Sequence, residues 1–209
     1  MKVENIRPAE QEDAGAVAGG GVTRRAALHC LVLTLAPGVI GASSGAQAAV
    51  EAADARPREG DRLAAEDADG AVQALKLQDI KIGDKPFGAF PFSPADGLKR
   101  EGSRLNRIIL VRFDSKDLTP DQLARSADGV FAFSGVCPHR GCDVTEWNAK
   151  DCTMLCYCHL SQFDPRNQGE VFAGPAPRPI PVLPLMLAGD ELVVAHGFTT
   201  EPGGAKAID

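Results

Sequence analysis

Two short stretches of the sequence combine cysteine with histidine at spacings that suit metal binding. CPHRGC occupies residues 137–142, and CYCHLSQFD occupies residues 156–164. The first contains the pattern C-x-H, the second contains C-x-x-H, and each adds another cysteine. Two Cys and two His satisfy a tetrahedral zinc site. They equally satisfy a [2Fe–2S] cluster in which two cysteines hold one iron and two histidines the other, so the residue types leave both chemistries open.

The rest of the sequence offers no competing catalytic pattern. It contains no Ser-His-Asp set, phosphate-binding loop or paired-carboxylate signature, and it has only four histidines. His29 lies in the N-terminal segment and His196 lies near the end of the chain, which leaves His139 and His159 for chemistry. We therefore expect no catalytic residue in this chain and assign any substrate chemistry to a partner protein.

The charge balance argues against nucleic acid as a partner. The 209 residues include 22 basic and 28 acidic side chains, which gives a net charge of −6. Proteins that bind nucleic acid or anionic membrane surfaces carry an excess of basic side chains instead. The length favours one folded domain.

The N-terminal residues have the layout of an export signal. Arg24 and Arg25 precede the apolar stretch AALHCLVLTLA, and the small residues AQA at 46–48 are typical of a cleavage site. An adjacent arginine pair at this place is typical of the twin-arginine signal. We predict that 1–48 is a twin-arginine signal peptide and that the mature protein is periplasmic. The alternative is an uncleaved membrane anchor, but Pro37 interrupts an apolar run that would need about 20 residues to span a bilayer.

The remaining sequence predicts a mostly β domain preceded by an arm. Residues 49–74 are rich in Ala, Asp, Glu and Arg without a sustained apolar period, which is typical of a solvated linker or N-terminal arm. Strands are predicted where apolar, β-branched segments lie between Gly and Pro turns, at 74–83, 107–113, 129–136, 153–157, 170–174 and 190–197. Short strands at close spacing predict an all-β sandwich or small barrel of antiparallel strands.

One short helix and one long loop complete the prediction. Thr119, Pro120 and Gln122 form the pattern of a capping box with proline at the first helical position, so a helix is expected from Pro120. Residues 84–104 are predicted to be an irregular loop whose three phenylalanines cover the core.

The two cysteine stretches together resemble those of the Rieske iron–sulfur proteins. The motif C-P-H-R-G-C … C-Y-C-H-L-S-Q-F carries the resemblance, and GPAP at 174–177 resembles the proline loop of that family. The likeness covers about 130–200 well and 75–129 loosely. It implies a Rieske-type fold for 75–209, with the cluster-binding part at about 130–182 and a [2Fe–2S] cluster as cofactor.

The resemblance also implies a set of ligands. By it, Cys137 and Cys156 bind one iron of the cluster, and His139 and His159 bind the other. Neutral imidazoles in place of two thiolates make the cluster less negative, so it accepts an electron more readily. Potentials of such centres lie at roughly −150 to +300 mV, against about −400 mV for plant-type ferredoxins.

By the same resemblance, Cys142 and Cys158 form the disulfide that joins the two loops in high-potential members of the family. Disulfides persist in exported proteins, so this pairing agrees with the predicted export. Cys152 is then the one cysteine left in the predicted mature chain. We interpret it as a buried apolar filler on the strand that leads to Cys156.

Further residues are expected to tune the centre from its surroundings. Ser161 occupies the place of a family serine whose hydroxyl bonds a bridging sulfide, and Gly174 and Pro175 belong to the proline loop. Two residues after that serine, respiratory members carry a tyrosine whose hydroxyl bonds a cysteine sulfur. Phe163 stands there in this chain and cannot donate, so we expect a lower potential than in the tyrosine-bearing relatives.

Three functions of the family are compatible with these residues. The favoured one is the electron-transfer subunit of an exported oxidoreductase similar to arsenite oxidase, in which a larger molybdenum subunit passes electrons through the cluster to a periplasmic cytochrome c or cupredoxin. The second is the Rieske subunit of a cytochrome bc complex that oxidises quinol, and the third is an oxygenase ferredoxin. A zinc-stabilised binding or sensing module is the alternative from another class. The sequence does not identify the substrate of the partner.

Overall fold

The computed structural model describes residues 50, 52–68 and 71–204. The predicted signal peptide at 1–48 lies outside this part of the chain. Within the described part, no helix is long and apolar enough to cross a bilayer.

Short antiparallel strands dominate the described part of the chain. The strands are β1 (Arg62–Ala65), β2 (Phe87–Phe92), β3 (Ile108–Arg112), β4 (Val130–Ser134), β5 (Glu146–Asn148), β6 (Thr153–Cys156), β7 (Ser161–Asp164), β8 (Glu170–Ala173), β9 (Leu185–Ala188) and β10 (Glu191–Val194). One α-helix, α1 (Pro120–Ala124), accompanies them, and residues 50 and 52–54 are also helical. Single 3-10 turns lie at Leu77–Asp79, Arg104–Asn106, Ser115–Asp117 and Pro165–Asn167.

The larger sheet has six strands and curls until it almost closes. Its order is β4-β3-β2-β1-β10-β9, with every neighbouring pair antiparallel. The edge strand β4 is also hydrogen bonded to the chain just before β9, from Ser134 N to Pro181 O at 2.8 Å and from Leu183 N to Ala132 O at 2.9 Å. Pairing of both edges leaves few free backbone groups at the edges of the sheet. The all-β antiparallel fold class predicted from the sequence is thereby confirmed.

The strand β3 is buried on both faces, which explains its uninterrupted apolar sequence. Ile108 and Leu110 face a first core inside the curled sheet, whereas Ile109 and Val111 face a second core on the outside of that sheet. All four side chains are at most 2% exposed. Alternate side chains of a strand point to opposite faces, so a strand between two cores must be apolar throughout.

The smaller sheet packs on that second core and carries both ends of the second cysteine stretch. Its order is β5-β6-β7-β8, so each strand pairs with the next one along the chain. Met154 of β6 and Phe163 of β7 are fully buried and share the second core with Phe133 of the larger sheet. This apolar contact fixes the smaller sheet on the larger one.

The helix begins where its capping pattern predicts. The Thr119 side chain accepts a hydrogen bond from Gln122 N at 3.3 Å, and the Gln122 side chain accepts one from Thr119 N at 2.9 Å. Pro120 occupies the first helical position, where its missing N–H is not needed. The predicted capping box is therefore confirmed.

The stretch 74–83, expected to be a strand, forms a 3-10 turn instead. The Asp79 carboxylate accepts a hydrogen bond from Lys76 N at 2.8 Å and so turns the backbone at Leu77–Asp79. The stretch joins the sheet through isolated bridges at Lys76 and Ile82 and through backbone bonds such as Leu75 N to Leu63 O at 2.7 Å, without forming a named strand. A local bond from side chain to backbone has replaced the sheet ladder.

The expected loop 84–104 contains the strand β2. Gly88 and Pro91 argued against a strand there, because both residues weaken sheet ladders. The pairing of β2 with β3 covers Phe87–Ala89 and ends before Pro91, so no hydrogen bond to β3 is needed from the proline nitrogen. Phe92 is buried at 7% exposure, as expected for an aromatic side chain over the core.

The predicted arm 49–74 contains the strand β1. Leu63 and Ala64 are fully buried, and β1 lies between β2 and β10 in the larger sheet. Composition indicated a solvated segment because charged residues surround only a few apolar positions. The boundary between arm and domain at residue 75 stays a prediction, but the larger sheet already includes β1, which lies before that residue.

Candidate metal centre

The first cysteine loop, residues 137–142, follows β4 directly and is closed by its own backbone. Cys137 N donates to Cys142 O at 2.7 Å, and Gly141 N donates to Cys137 O at 2.9 Å. Gly141 has φ +76°, a left-handed conformation that glycine adopts without strain. These bonds bring the two cysteines of the loop together at its base.

The second cysteine loop, residues 156–161, is the hairpin turn between β6 and β7. Cys156 pairs with Ser161 across the hairpin, so the last residue of one strand faces the first residue of the next. Cys158 and His159 lie at the exposed tip between them. Leu160 turns the chain back with φ +61°, which is uncommon for a residue other than glycine.

The two loops bring the four predicted ligands together as a pair of thiols and a pair of imidazoles. Cys137 and Cys156 are at most 2% exposed, and their thiols are close enough to hydrogen bond. The rings of His139 and His159 lie edge to face with their centroids 4.5 Å apart. Each loop contributes one thiol and one imidazole, so both loops must fold to assemble the site.

The predicted disulfide between Cys142 and Cys158 is confirmed. It joins the two loops directly beside the thiol pair, since the Sγ atoms of Cys142, Cys156 and Cys158 lie within 4.8 Å of one another. Two of these three sulfurs are bonded to each other and cannot bind a metal as thiolates. Cys137 and Cys156 are free and buried, so their thiols remain available as sulfur donors.

Burial controls the protonation of the donors. It raises the pKa of the Cys137 thiol to about 11, with a smaller contribution from the thiol of Cys156, while the backbone N–H of His139 opposes this shift. Desolvation lowers the pKa of His139, and the neighbouring His159 and Arg140 lower it further. Neutral imidazole is the form that binds metal, so this environment favours it. Metal binding by Cys137 must displace its proton.

Polar atoms without a protein partner mark the interior of the site. In the described residues, the buried side-chain atoms that lack a hydrogen bond are Arg112 Nε, His139 Nδ1 and Ser161 Oγ, and two of these three belong to the cysteine loops. Buried polar atoms are normally satisfied, so such atoms indicate a partner that the protein itself does not supply. A buried imidazole nitrogen without a protein partner, in the same loop as the buried thiol of Cys137, fits an iron–sulfur centre with mixed Cys and His ligands.

Gly174, the first residue of the segment 174–177, lies against the second cysteine loop. Gly174 has φ +89°, and a Cβ at this position would lie 2.6 Å from both Leu160 O and Ser161 Cα. Only glycine permits this close approach of the two backbones. Pro175 follows it at the surface.

Ser161 and Phe163 lie where tuning residues are expected. The Ser161 hydroxyl is buried and makes no regular hydrogen bond, but it lies close enough to Cys137 to lower the pKa of that thiol slightly. Phe163 is fully buried in the same apolar core as Cys137 and Cys156. Its ring supplies no hydrogen-bond donor at this place.

Comparison with known families assigns both cysteine loops to one domain. Residues 107–184 match the family described as the Rieske [2Fe-2S] domain, a range that contains both cysteine loops and the proline loop. The chain contains a Rieske [2Fe–2S] domain. Its cofactor is accordingly a [2Fe–2S] cluster with Cys and His ligands, which decides against the zinc site that the donor count left open.

Similar proteins are Rieske subunits of respiratory complexes. This chain is 30% identical over 136 residues to a Haloferax mediterranei protein named as a respiratory nitrate reductase Rieske subunit, covering 65% of this chain and 58% of that protein. A cytochrome bc1 complex Rieske iron-sulfur subunit of Corynebacterium diphtheriae is 39% identical over 104 residues, covering 47% of this chain and 26% of that protein. The chain thus spans between a quarter and three fifths of the length of these relatives.

Solved structures with local similarity include a Rieske protein and a ferredoxin. The soluble domain of Rieske protein II from Sulfolobus acidocaldarius is 26% identical with a TM-score of 0.37, covering 49% of this chain and 67% of that chain. The ferredoxin of carbazole 1,9a-dioxygenase from Nocardioides aromaticivorans is 22% identical with a TM-score of 0.40, covering 60% and 96% of the two chains.

The structure changes the interpretation of Cys152. It was expected as a buried filler on a strand, but it is half-buried in the turn before β6 and has φ +53°. Its thiol contacts only Ala149 O, at 3.7 Å. The turn between β5 and β6 needs a left-handed residue at this place, and the strand begins one residue later.

Sequence reasoning missed residues that touch the first cysteine loop from distant parts of the chain. Arg104 forms an ion pair with Asp143 at 2.7 Å, and Gly204 lies against Gly141. Arg178 in turn binds the segment that ends at Gly204. Isolated arginines and glycines outside a motif give no sequence signal, because their role depends on long-range contacts.

Proposed function

We propose that this chain is the electron-transfer subunit of a larger oxidoreductase, with Cys137 and Cys156 on one iron of its cluster and His139 and His159 on the other. The convergence of two buried thiols and two imidazoles on cross-linked loops carries this proposal. When bound, the cluster supplies reversible one-electron transfer at a high potential. Substrate chemistry belongs to the partner subunit.

Each part of the site then has its own task. Burial of Cys137 and Cys156 excludes water from the sulfur side, while the exposed His159 brings the opposite side to the protein surface. A partner can approach this surface closely, as electron transfer requires. The disulfide between Cys142 and Cys158 holds the two loops together when the charge of the site changes.

We infer that the partner is a molybdenum enzyme similar to arsenite oxidase and that a periplasmic cytochrome c or cupredoxin accepts the electrons. The pair Arg24-Arg25, the disulfide between the loops and Phe163 support this inference. The relative named for respiratory nitrate reductase supports a large oxidoreductase partner in general. Arsenite as substrate rests on likeness to one subgroup.

A cytochrome bc complex is the second candidate, because several relatives are named as its Rieske subunit. In that case the chain would receive electrons from quinol. Phe163, in the place of the tyrosine of respiratory members, favours the first candidate.

We further propose that the protein is exported to the periplasm by the twin-arginine route. Arg24 and Arg25 support this, as does the disulfide, which persists in oxidising compartments. Replacing the pair by lysines (R24K/R25K) is expected to retain the protein in the cytoplasm. N-terminal sequencing of the exported protein is expected to begin at Ala49, and an intact N-terminus in the membrane fraction would support anchoring instead.

The decisive experiment is a redox titration of the purified protein followed by EPR. A rhombic signal on reduction with a positive midpoint, together with rapid re-oxidation by a c-type cytochrome, is the expected result. Nitrogen hyperfine couplings from two histidines would test the ligand set. A reducible cluster that neither a cytochrome nor a cupredoxin can oxidise would contradict the relay to these acceptors.

A further inference from the structure

The C-terminal segment, residues 199–204, lies against the backbone of the first cysteine loop. A Cβ built on Gly204 would lie 2.7 Å from Gly141 N and 2.8 Å from the carbonyl carbon of Arg140. Real side chains do not approach backbone so closely, so the two backbones touch only because residue 204 is glycine. Gly204 lies outside residues 107–184, which match the Rieske domain, whereas Gly141 lies within them.

Arg178 fastens the C-terminal segment. Its Nη2 atom donates to Glu201 O and to Gly203 O, both at 2.9 Å, and its Nη1 atom donates to Thr200 Oγ1 at 3.3 Å. A guanidinium is suited to this, since its planar fork presents several donors in a fixed geometry. Arg178 itself follows the proline loop, one residue after Pro177.

The rest of the segment is tied to the fold on both sides. Thr199 N donates to Val182 O at 2.9 Å, and Val182 N donates to Thr199 Oγ1 at 3.1 Å, which fixes the beginning of the segment beside the larger sheet. Glu201 forms an ion pair with Arg56 of the N-terminal arm. Beyond Glu201, the Arg178 bonds hold the chain next to Gly141.

We propose that Arg178 is a positioning residue, which holds the C-terminal segment as a clamp on the first cysteine loop and so keeps Cys137 and His139 in place for the cluster. This inference rests on the ligand set in the proposed function. Arg178 links the proline loop, whose Gly174 lies against the second cysteine loop, to a segment that lies against the first. Both loops are thereby restrained from outside, in addition to the disulfide that joins them.

Hydrogen exchange of the intact purified protein tests the clamp directly. In R178A, peptides covering 137–144 are expected to exchange at least about tenfold faster, because the variant loses three hydrogen bonds from a charged donor and the loss of even one produces about that change. Arg62 provides a control, because it is likewise an arginine with several side-chain hydrogen bonds, to the Glu191 carboxylate and to Gly60 O, but it lies on the larger sheet. R62A is expected to leave exchange in 137–144 unchanged, and R178K is expected to give an intermediate rate.

Gly204→Ala tests the same contact from its other side, without altering Arg178. The added methyl group must push the segment away from Gly141, so faster exchange in 137–144 and faster bleaching of the cluster are expected. Gly197→Ala is the control, since a Cβ there meets only Pro57 O at an ordinary 3.6 Å. If R178A does not fold, the comparison of G204A with G197A decides the question.

The outcomes separate the clamp from the proposed function. Unchanged exchange in 137–144 for folded R178A or G204A, with faster exchange confined to 199–204, would overturn the clamp. An altered EPR line shape in R178A at an unchanged melting temperature would support positioning rather than general stabilisation. Wild-type protein without a reducible cluster would reject the proposed function, while the exchange data would still report on the contact.

Discussion

The two sheets of this protein are stabilised by different means. The first core, inside the larger sheet, contains aliphatic side chains such as Leu63, Leu110 and Leu192, each fully buried. The second core, under the smaller sheet, includes the thiols of Cys137 and Cys156 among its apolar side chains. The buried side chains of the first core are thus all aliphatic, whereas the second core also contains side chains that can bind a metal.

This difference indicates how stability and function are divided. A core of packed aliphatic groups stabilises the fold whether or not a cofactor is bound. A region with buried metal ligands gains part of its folding free energy from the bound metal, because binding and folding are coupled. We expect substitutions in the two regions to have separable effects.

The largest effect is expected from a ligand substitution. Cys156→Ser removes one of the two thiols and should abolish the cluster, measured as iron content and as the EPR signal of the reduced protein. Cys152→Ser is the matched control, since this half-buried cysteine lies in the preceding turn and contacts only Ala149 O. Retention of the cluster in C156S, or its loss in C152S, would contradict the ligand set.

Adjacent residues of β3 allow the two cores to be compared within one strand. Leu110→Ala in the first core and Ile109→Ala in the second should each lower the free energy of unfolding by about 2–5 kcal/mol, measured by urea denaturation. Both side chains are fully buried. Only I109A is expected to accelerate cluster loss under native conditions, and equal acceleration in both variants would show that the cores are not independent.

The disulfide should matter mainly for the smaller sheet. It closes a separation of 16 residues, for which a loss of about 3 kcal/mol of stability is expected in the double variant C142A/C158A. Hydrogen exchange should show faster opening of β6 and β7 and little change in β3. Uniform acceleration across both sheets would indicate that they unfold as one unit.

Phe163→Tyr should alter the potential more than the stability. A hydroxyl beside a cysteine sulfur stabilises the reduced centre, and one hydrogen bond of about 0.5–1.5 kcal/mol corresponds to roughly 20–60 mV for a one-electron couple. The midpoint from an EPR titration should therefore rise by this amount. Because Phe163 is fully buried, a crystal structure of the variant must show the hydroxyl directed at sulfur for the test to count. An unchanged midpoint in a variant with that geometry would contradict the expectation that the missing hydroxyl at Phe163 lowers the potential.

The smallest effect is expected at the surface of the larger sheet. Lys76 Nζ lies 3.0 Å from Asp190, and this hydrogen bond lowers the pKa of Asp190. A lowered carboxyl pKa in the folded state stabilises the protein above the unfolded value of about 3.9, and this contribution is lost as the pH falls through the folded pKa. Asp190→Asn should slightly reduce stability at neutral pH, flatten its acid dependence and leave the EPR spectrum unchanged. A changed spectrum would contradict the separation of the two regions.

The segments predicted as strands contain β3, β4, β6, β8 and β10, whereas β1, β2, β5, β7 and β9 were missed. The segments 107–113 and 129–136 contain β3 and β4, because both faces of these strands are buried and every residue carries the signal. The strand β7 was missed, since its residues Ser161–Asp164 read as part of a metal-binding motif. The strand β2 was missed because Pro91 and Gly88 argue against a strand unless the partner strands are known.

The sequence by itself located a metal centre at the two cysteine loops, because metal binding requires particular side chains at short spacings and both loops are local; its resemblance to the Rieske proteins indicated which metal group. It also indicated the disulfide between Cys142 and Cys158 through resemblance, and the structure contains that bond. Only the tertiary structure decided which distant residues hold the loops. The contact of Gly204 with Gly141 and the bonds from Arg178 join parts of the chain that no local pattern connects. Such contacts depend on where the sheets bring their connections together, which is a property of the whole fold.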